Sequence, residues 1–349
     1  MPINLHKLPS LVGEMLVTEL EYQEIFLLSM CSRRSKILVK KGNIKVPKLA
    51  FRYEERHGYN KFEVEVVTDE SRLPVTSWLH VPELASEEVS TVKLGLGYKA
   101  DTSFHVLCEN DGKFLHWTEC ANEPMAVQKS LQDHVNSMFH NDTNQLILLM
   151  KYKGSLPNIT DVTEIEIRDD TVDPQFITNV LDMYPDHQRL YVKSEIDGEI
   201  PKESPFFQVQ NIYVTHPPSR KYSCGPDYFH NFVGRNMRLD QATVTEQDLI
   251  QFLHKWISNE AYHNLETMVI LVGPQCRINE NLIRQTIEFE EYDPNEPEKR
   301  PSHFPIDIPF SYNFPLRNQN VVEIKRETDR KRAFVYLTIG CFLLVVHKN

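Results

Sequence analysis

Apolar residues crowd the first tenth of the chain at helical spacing. Leu11, Val12, Met15 and Leu16 recur at i, i+1, i+4 and i+5, which makes one helical face, and Leu20 extends it. Leu8-Pro9 opens this run, with a proline suited to a first helical turn. A second pattern follows in Ile25, Phe26, Leu28 and Met30, and a third in Ile37, Leu38 and Val39. Three helices in so few residues cannot cover all these groups among themselves, so another surface must take up the remainder.

After Gly42 and Pro47 the period changes to two. Phe62-Glu63-Val64-Glu65-Val66 alternates as a half-buried strand does. Two further runs, 103–107 and 113–117, flank the turn signal Glu109-Asn110-Asp111-Gly112, which predicts a hairpin. From Pro124 the periods alternate. A helix over 125–139 leads to the apolar run Leu146 to Met150, and Val162 to Ile167 reads as a strand. Asp173 and Pro174 start a helix to Met183, and strands follow at 189–193 and 211–214. Thr245 with Asp248 forms a capping-box-like start to a helix through Trp256 and Ile257, and Leu265 to Val272 reads as a buried strand. This order implies parallel pairing by right-handed crossovers. Residues 288–309, crowded with proline and acids, read as a surface loop. The uncharged run Ala333 to Val346 is too short for a helical bilayer span and suits two buried strands joined near Gly340, or one long core strand.

The N-terminal spacing resembles an F-box. The residues that carry it are Leu8-Pro9, Glu14-Met15-Leu16, Leu20, Glu24-Ile25-Phe26, Leu28-Ser29 and Cys31-Ser32-Arg33-Arg34. Where many F-boxes place a Trp, this chain has Arg33-Arg34-Ser35, which fits the nematode-type form that carries an F-box-associated domain. A second segment resembles that associated domain: Val244 to Leu249, Phe252-Leu253, Trp256 to Asn259, and Asn264 to Met268. The strand–helix unit recurs with irregular spacing, like a degenerate leucine-rich-repeat stack.

The expected fold class is therefore α/β (α+β overall). It comprises a three-helix F-box at 1–45, a small antiparallel strand-rich region at 46–124, and a leucine-rich-repeat-like β/α domain at 125–349. The resemblance implies an adaptor of an SCF-type cullin-RING ubiquitin ligase, non-catalytic, docking on the Skp adaptor subunit and binding a protein substrate. For the Skp contact it implies Leu8, Pro9, Leu11, Val12, Met15, Leu16, Leu20, Ile25 and Phe26, with Pro9 and Leu16 foremost among those pointing out. Strand alternation suggests a substrate face of Glu164, Glu166, Arg168, Arg189, Tyr191 and Lys193, the competing reading being a plain solvated face. The alternative function is a repeat-type interaction scaffold without a ubiquitin link, its N-terminal helices acting as a cap. A third class is a tail-anchored membrane protein.

Charge and chemistry narrow these readings. A net charge of −11 argues against a nucleic-acid partner. Six cysteines lack any C-x-x-C pair, and MPINLHKLPS lacks the order of a secretory signal, so a cytoplasmic or nuclear location with reduced thiols is expected. The sequons at Asn141 and Asn158 are then unmodified. Gly95 to Ala100 matches G-x-G-x-x-A, but a strand-like segment follows where a dinucleotide loop would open a helix. Cys224 with His230, in the aromatic cluster of Tyr222, Tyr228, Phe229 and Phe232, is the nearest approach to a nucleophilic pair, and reads better as packing. His254 reads as a surface or boundary residue. No metal or cofactor motif is present, so none is expected.

Overall fold

A computed structural model describes residues 9–56, 59–84, 89–108, 114–140, 145–152, 154–215, 224–308 and 311–347. The chain divides into two compact units, Met1–Ile165 and Glu166–Asn349. The helical head and the strand-rich region, expected as separate segments, thus fall in one unit.

The first unit opens with three helices: α1 (Ser10–Thr18), α2 (Tyr22–Cys31) and α3 (Arg33–Lys41). Glu21 and Glu24 close a reciprocal capping box on α2, and the Ser32 hydroxyl caps α3 by accepting from the Ser35 amide. Strands β1 (Ile44–Lys45), β2 (Lys48–Arg56), β3 (Tyr59–Val67), β4 (Arg72–His80), β5 (Ser90–Leu94), β6 (Tyr98–Cys108) and β7 (Phe114–Cys120) follow. Helix α4 (Pro124–Asn136), capped by the Glu123 carboxylate, precedes β8 (Phe139–His140) and β9 (Gln145–Met150). The sheet order is β9-β2-β3-β4-β7-β6-β5. Pairing is mostly antiparallel, with β2–β9 and β4–β7 parallel. The expected hairpin is the β6–β7 pair; its turn, and Asn141 of the first sequon, lie outside the described residues. Gly95 and Gly97 sit in the β5–β6 turn at φ +49° and +113°, and a Cβ on Gly95 would come within 2.9 Å of the Ser130 carbonyl on α4. Only glycine fits that approach.

Two buried histidines fasten α2 into this unit. Phe26 lies between them, stacked on His116 at 6.2 Å and edge-on to His134 at 5.7 Å. Lys36 can only donate, so its contact with His134 Nδ1 at 3.2 Å makes that nitrogen the acceptor. Nε2–H then donates to Ser29 Oγ at 2.8 Å, whose hydroxyl donates to the Phe26 carbonyl at 2.6 Å. The second histidine is wired likewise. His116 Nδ1–H donates to Gln23 Oε1 at 3.0 Å, Nε2 faces Thr76 Oγ1 at 3.4 Å, and the Trp78 indole N–H donates to the same oxygen at 2.9 Å.

The second unit begins within β10 (Val162–Val172), a strand that carries the division. Next come α5 (Pro174–Met183), β11 (Arg189–Ile196), β12 (Asn211–Thr215), α6 (Asp227–His230), β13 (Asn236–Ala242), α7 (Glu246–Ile257), β14 (Thr267–Val272) and α8 (Glu280–Thr286). The unit closes with β15 (His303–Asp307), β16 (Ser311–Pro315), β17 (Val321–Lys325), β18 (Arg332–Thr338) and β19 (Cys341–Val346). Strands β10 to β14 lie in chain order and continue through β19, β18 and β17. β11 to β14 are parallel; β19 and β18 run antiparallel as a hairpin about Gly340, as the sequence suggested. Asp173 caps α5, and both bonds of the Thr245–Asp248 box form on α7.

Leu190, Val192, Ile212, Val214, Met237, Leu239, Met268 and Ile270 are buried on one sheet face. Phe252 of α7 meets Phe342, the register partner of Ile270, on that face at 5.7 Å. On the opposite face the β15–β16 hairpin packs Phe304, Ile306 and Ile308 over Val269, Leu343 and Phe334. That corrects the expectation of a plain surface loop at 288–309: Phe304, Ile306 and Ile308 alternate and bury, and Pro305 is tolerated because a two-stranded ribbon is all edge. Strand β13 and helix α8 also went unread, since β13 is weakly apolar and α8 is short.

Among the described residues no helix is long and apolar enough to cross a membrane, and Cys31, Cys120, Cys224, Cys276 and Cys341 are free thiols. Burial first, then the charges of Lys36 and Lys40, lower the His134 pKa from 6.5 to about 3; burial also lowers that of His116. Both are held toward the neutral form when folded, while the unfolded imidazoles take up protons below pH 6.5. Their contribution is complete above that pH and is lost as pH falls. For His134 the loss should be about 1.4 kcal/mol per pH unit between pH 6.5 and about 3, and His116 adds to it in the same direction. Urea unfolding at pH 7.5 and 5.5 should show this loss, and His134→Gln should shallow the slope.

Candidate functional site

Helix α1 is where the apolar surplus of the head reaches the surface. Gly13 and Val17, one turn apart, face α3: a Cβ on Gly13 would lie 3.0 Å from Leu38 Cδ1, and Val17 is buried beside Gly42. The remaining apolar positions must then point away. Leu11, Val12, Met15 and Leu16 are exposed by 68, 42, 62 and 40%. Pro9, at the helix N-cap with φ −54° and ψ 143°, is exposed beside them. Large apolar side chains gathered on one exposed helical face mark an interaction site far more often than scattered ones do.

The expected Skp-contact residues therefore part company. Pro9, Leu11, Val12, Met15 and Leu16 form the exposed face, Leu20 is half-buried, and Leu8 lies outside the described residues. Ile25 and Phe26 belong to the interior, exposed by 1 and 0%. The two-histidine setting of Phe26 leaves it no route to a partner, so these two are corrected from contact to core.

The mixed-charge strip fares differently. Alternation places it on the face away from Ile165, Ile167, Leu190 and Val192, all buried. Yet Glu164 and Glu166 are themselves buried, which corrects the expectation that they face solvent. Glu164, in the first unit, is held by Lys48 at 2.7 Å. Glu166, in the second, is gripped by Lys193 at 2.5 Å and Arg168 at 2.6 Å. Burial alone would raise the Glu166 pKa; the Lys193 hydrogen bond and charge, with those of Arg168, bring it below the usual value. Arg168, Arg189, Tyr191 and Lys193 are half-buried, and Arg189 reaches Asp307 of the hairpin at 2.8 Å. Beside them Tyr191 meets Tyr213 edge-on at 6.3 Å, and Tyr213 donates to Asp240 at 2.8 Å. Arg238 lies over the Tyr213 ring at 5.6 Å and pairs with Asp240 at 2.9 Å. Tyr213, Arg238 and Asp240 were missed. The signal was the register of β11, β12 and β13, which aligns Tyr191, Tyr213 and Arg238 in one row.

The cysteine–histidine candidate is packing. Cys224 is fully buried, and burial pushes its thiol pKa up, opposite to what a nucleophile needs. His230 Nδ1 faces the Tyr262 hydroxyl at 3.4 Å. Tyr222 lies outside the described residues, and His254 is exposed on α7. Among the described residues no cluster of His, Cys, Asp and Glu is arranged to hold a metal ion.

No family model matches this chain, and neither a curated protein nor a solved structure is significantly similar to it.

The division of the head into surface and core has a measurable consequence. Phe26→Ala should cost about 3–5 kcal/mol of unfolding free energy, and Met15→Ala under about 1 kcal/mol, in urea titrations of the intact chain. In the second unit, Glu166→Gln should cost about 2 kcal/mol, since it removes the negative charge that two partly solvated cations share.

Proposed function

We propose that this chain is the non-catalytic substrate adaptor of an SCF-type cullin-RING ubiquitin ligase. Helix α1 docks on the Skp adaptor subunit, and the second unit carries the surface for a protein substrate. The exposed apolar face of α1 is the observation that carries this reading. Leu11, Val12, Met15 and Leu16 point outward while Val17, Ile25, Phe26 and Val39 are buried, which is the arrangement of helix-in-groove recognition. The F-box-like order of residues from Leu8 to Arg34 supports the Skp adaptor subunit as the groove's owner. Parallel strands adjacent in chain order support a leucine-rich-repeat-like reading of residues 166–349. The row of Tyr191, Tyr213 and Arg238 has the Tyr and Arg content of protein-binding hot spots.

The competing reading is an interaction scaffold in which the head only caps the sheet, and the seating of Phe26 between His116 and His134 favours it to that extent. The two differ in what α1 is for. With Leu11, Met15 and Leu16 all changed to Ser, the adaptor reading expects co-purification with the Skp adaptor to drop at least a hundredfold, each lost contact being worth about 1–2 kcal/mol. Circular dichroism and the unfolding midpoint should stay near those of the native chain. Undiminished recovery of the Skp adaptor would overturn the assignment of docking to α1, and a native chain that recovers none would leave the scaffold reading standing.

A further inference from the structure

The exposed face of α1 does not end at α1. Helix α3 reads RRSKILVKK, five basic residues and no acid, in a protein whose net charge is −11. Arg34, Ile37 and Lys41 recur at i, i+3 and i+7, so they form one strip along that helix. The strip runs beside Leu38, the residue against which Gly13 of α1 is set. All three members are exposed, Ile37 by 47%. An apolar patch on α1 is thus flanked on one side by a cationic strip with an apolar residue at its middle.

The geometry points to a partner surface with an apolar groove and an acidic rim, the rim lying against Arg34 and Lys41. This rests on the adaptor reading and adds the chemistry of the flank. Charge complementarity of that kind governs how fast two proteins meet more than how long they stay together. The other bearer of negative charge and apolar depth is an anionic membrane. A helix that lies in a membrane surface carries its own Lys and Arg around its apolar side. Helix α1 has none: its charged residue is Glu14, and Glu19 follows it. A lipid surface would therefore repel the very helix whose apolar side chains had to enter it, whereas a shaped protein rim can meet α3 alone.

The test compares the intact native chain with Arg34→Glu/Lys41→Glu and Arg34→Gln/Lys41→Gln, each binding the immobilised Skp adaptor across a salt series. At about 50 mM salt the double Glu chain should associate about tenfold more slowly and the double Gln chain about threefold, with dissociation little changed. The differences should close near 0.5 M salt, where the Debye length is only a few ångströms. Association that ignores both variants overturns the acidic-rim inference while leaving the adaptor reading in place. A native chain that does not bind the Skp adaptor at all overturns both. Binding to phosphatidylserine vesicles that the double Glu change abolishes assigns the strip to lipid and also overturns the inference.

Discussion

The buried contact of Phe26 with two neutral histidines is the constraint on which the head depends. Each imidazole is fixed in one tautomer by a chain of donors and acceptors that ends on backbone or on another side chain. His134 receives a bond from Lys36 and passes one to Ser29; His116 is set between Gln23 and Thr76. Polar groups this deep tolerate no missing partner, so the network selects one seating of α2 and rejects neighbours of similar apolar content. Lys36 extends the tie by donating to the Gly95 carbonyl at 3.1 Å, in the turn that only glycine lets approach α4. Helix, turn and sheet are thereby closed on one another, which is why the head is not a separate body.

Once α2 is committed inward, the exposure of α1 follows by subtraction. The apolar excess at residues 11–16 was legible in the sequence as an excess, but its direction was not. Periodicity identifies a face without saying what lies opposite it. The informative residue was Gly13, an otherwise unfavourable choice inside a nine-residue helix. Its value lies in letting α1 approach Leu38 closely, which turns Leu11, Val12, Met15 and Leu16 outward. Ile25 and Phe26 sit in an equally apolar pattern, and only the distant partners His116 and His134 decide that they bury. Those histidines lie about a hundred residues downstream, beyond the reach of local pattern.

In the second unit the legible elements were those with their own start and stop chemistry. Asp173 with Pro174, Thr245 with Asp248, and the apolar run broken at Gly340 each specify an element without tertiary help. Strand β13 has no such marks; two apolar residues, Met237 and Leu239, alternate among Asn, Arg and Asp, and parallel neighbours on both sides make it a central strand. The β15–β16 hairpin was hidden by its prolines, although Phe304, Ile306 and Ile308 keep a strict period of two. Alternation did not give the exposure of Glu164 and Glu166, because long cationic side chains fold over them: Lys48 of β2 over the first, Lys193 of β11 and Arg168 of β10 over the second.

Helix α1 stands apart in how little holds it. It spans nine residues, has no side-chain cap at Pro9, and touches the rest of the head chiefly through Gly13 and Val17. A helix of that length is marginal by itself, and most helical stability comes from burying an apolar stripe. Here the wider stripe points away from its own protein. A groove that covered Leu11, Val12, Met15 and Leu16 would supply the burial the chain withholds, so binding would add to the stability of α1 by ordinary linkage. The inward face of α2 carries the polar specificity of the fold, and the outward face of α1 keeps an unspent share of its hydrophobic driving force. That separation leaves the exposed face of α1 able to change without disturbing the core behind it.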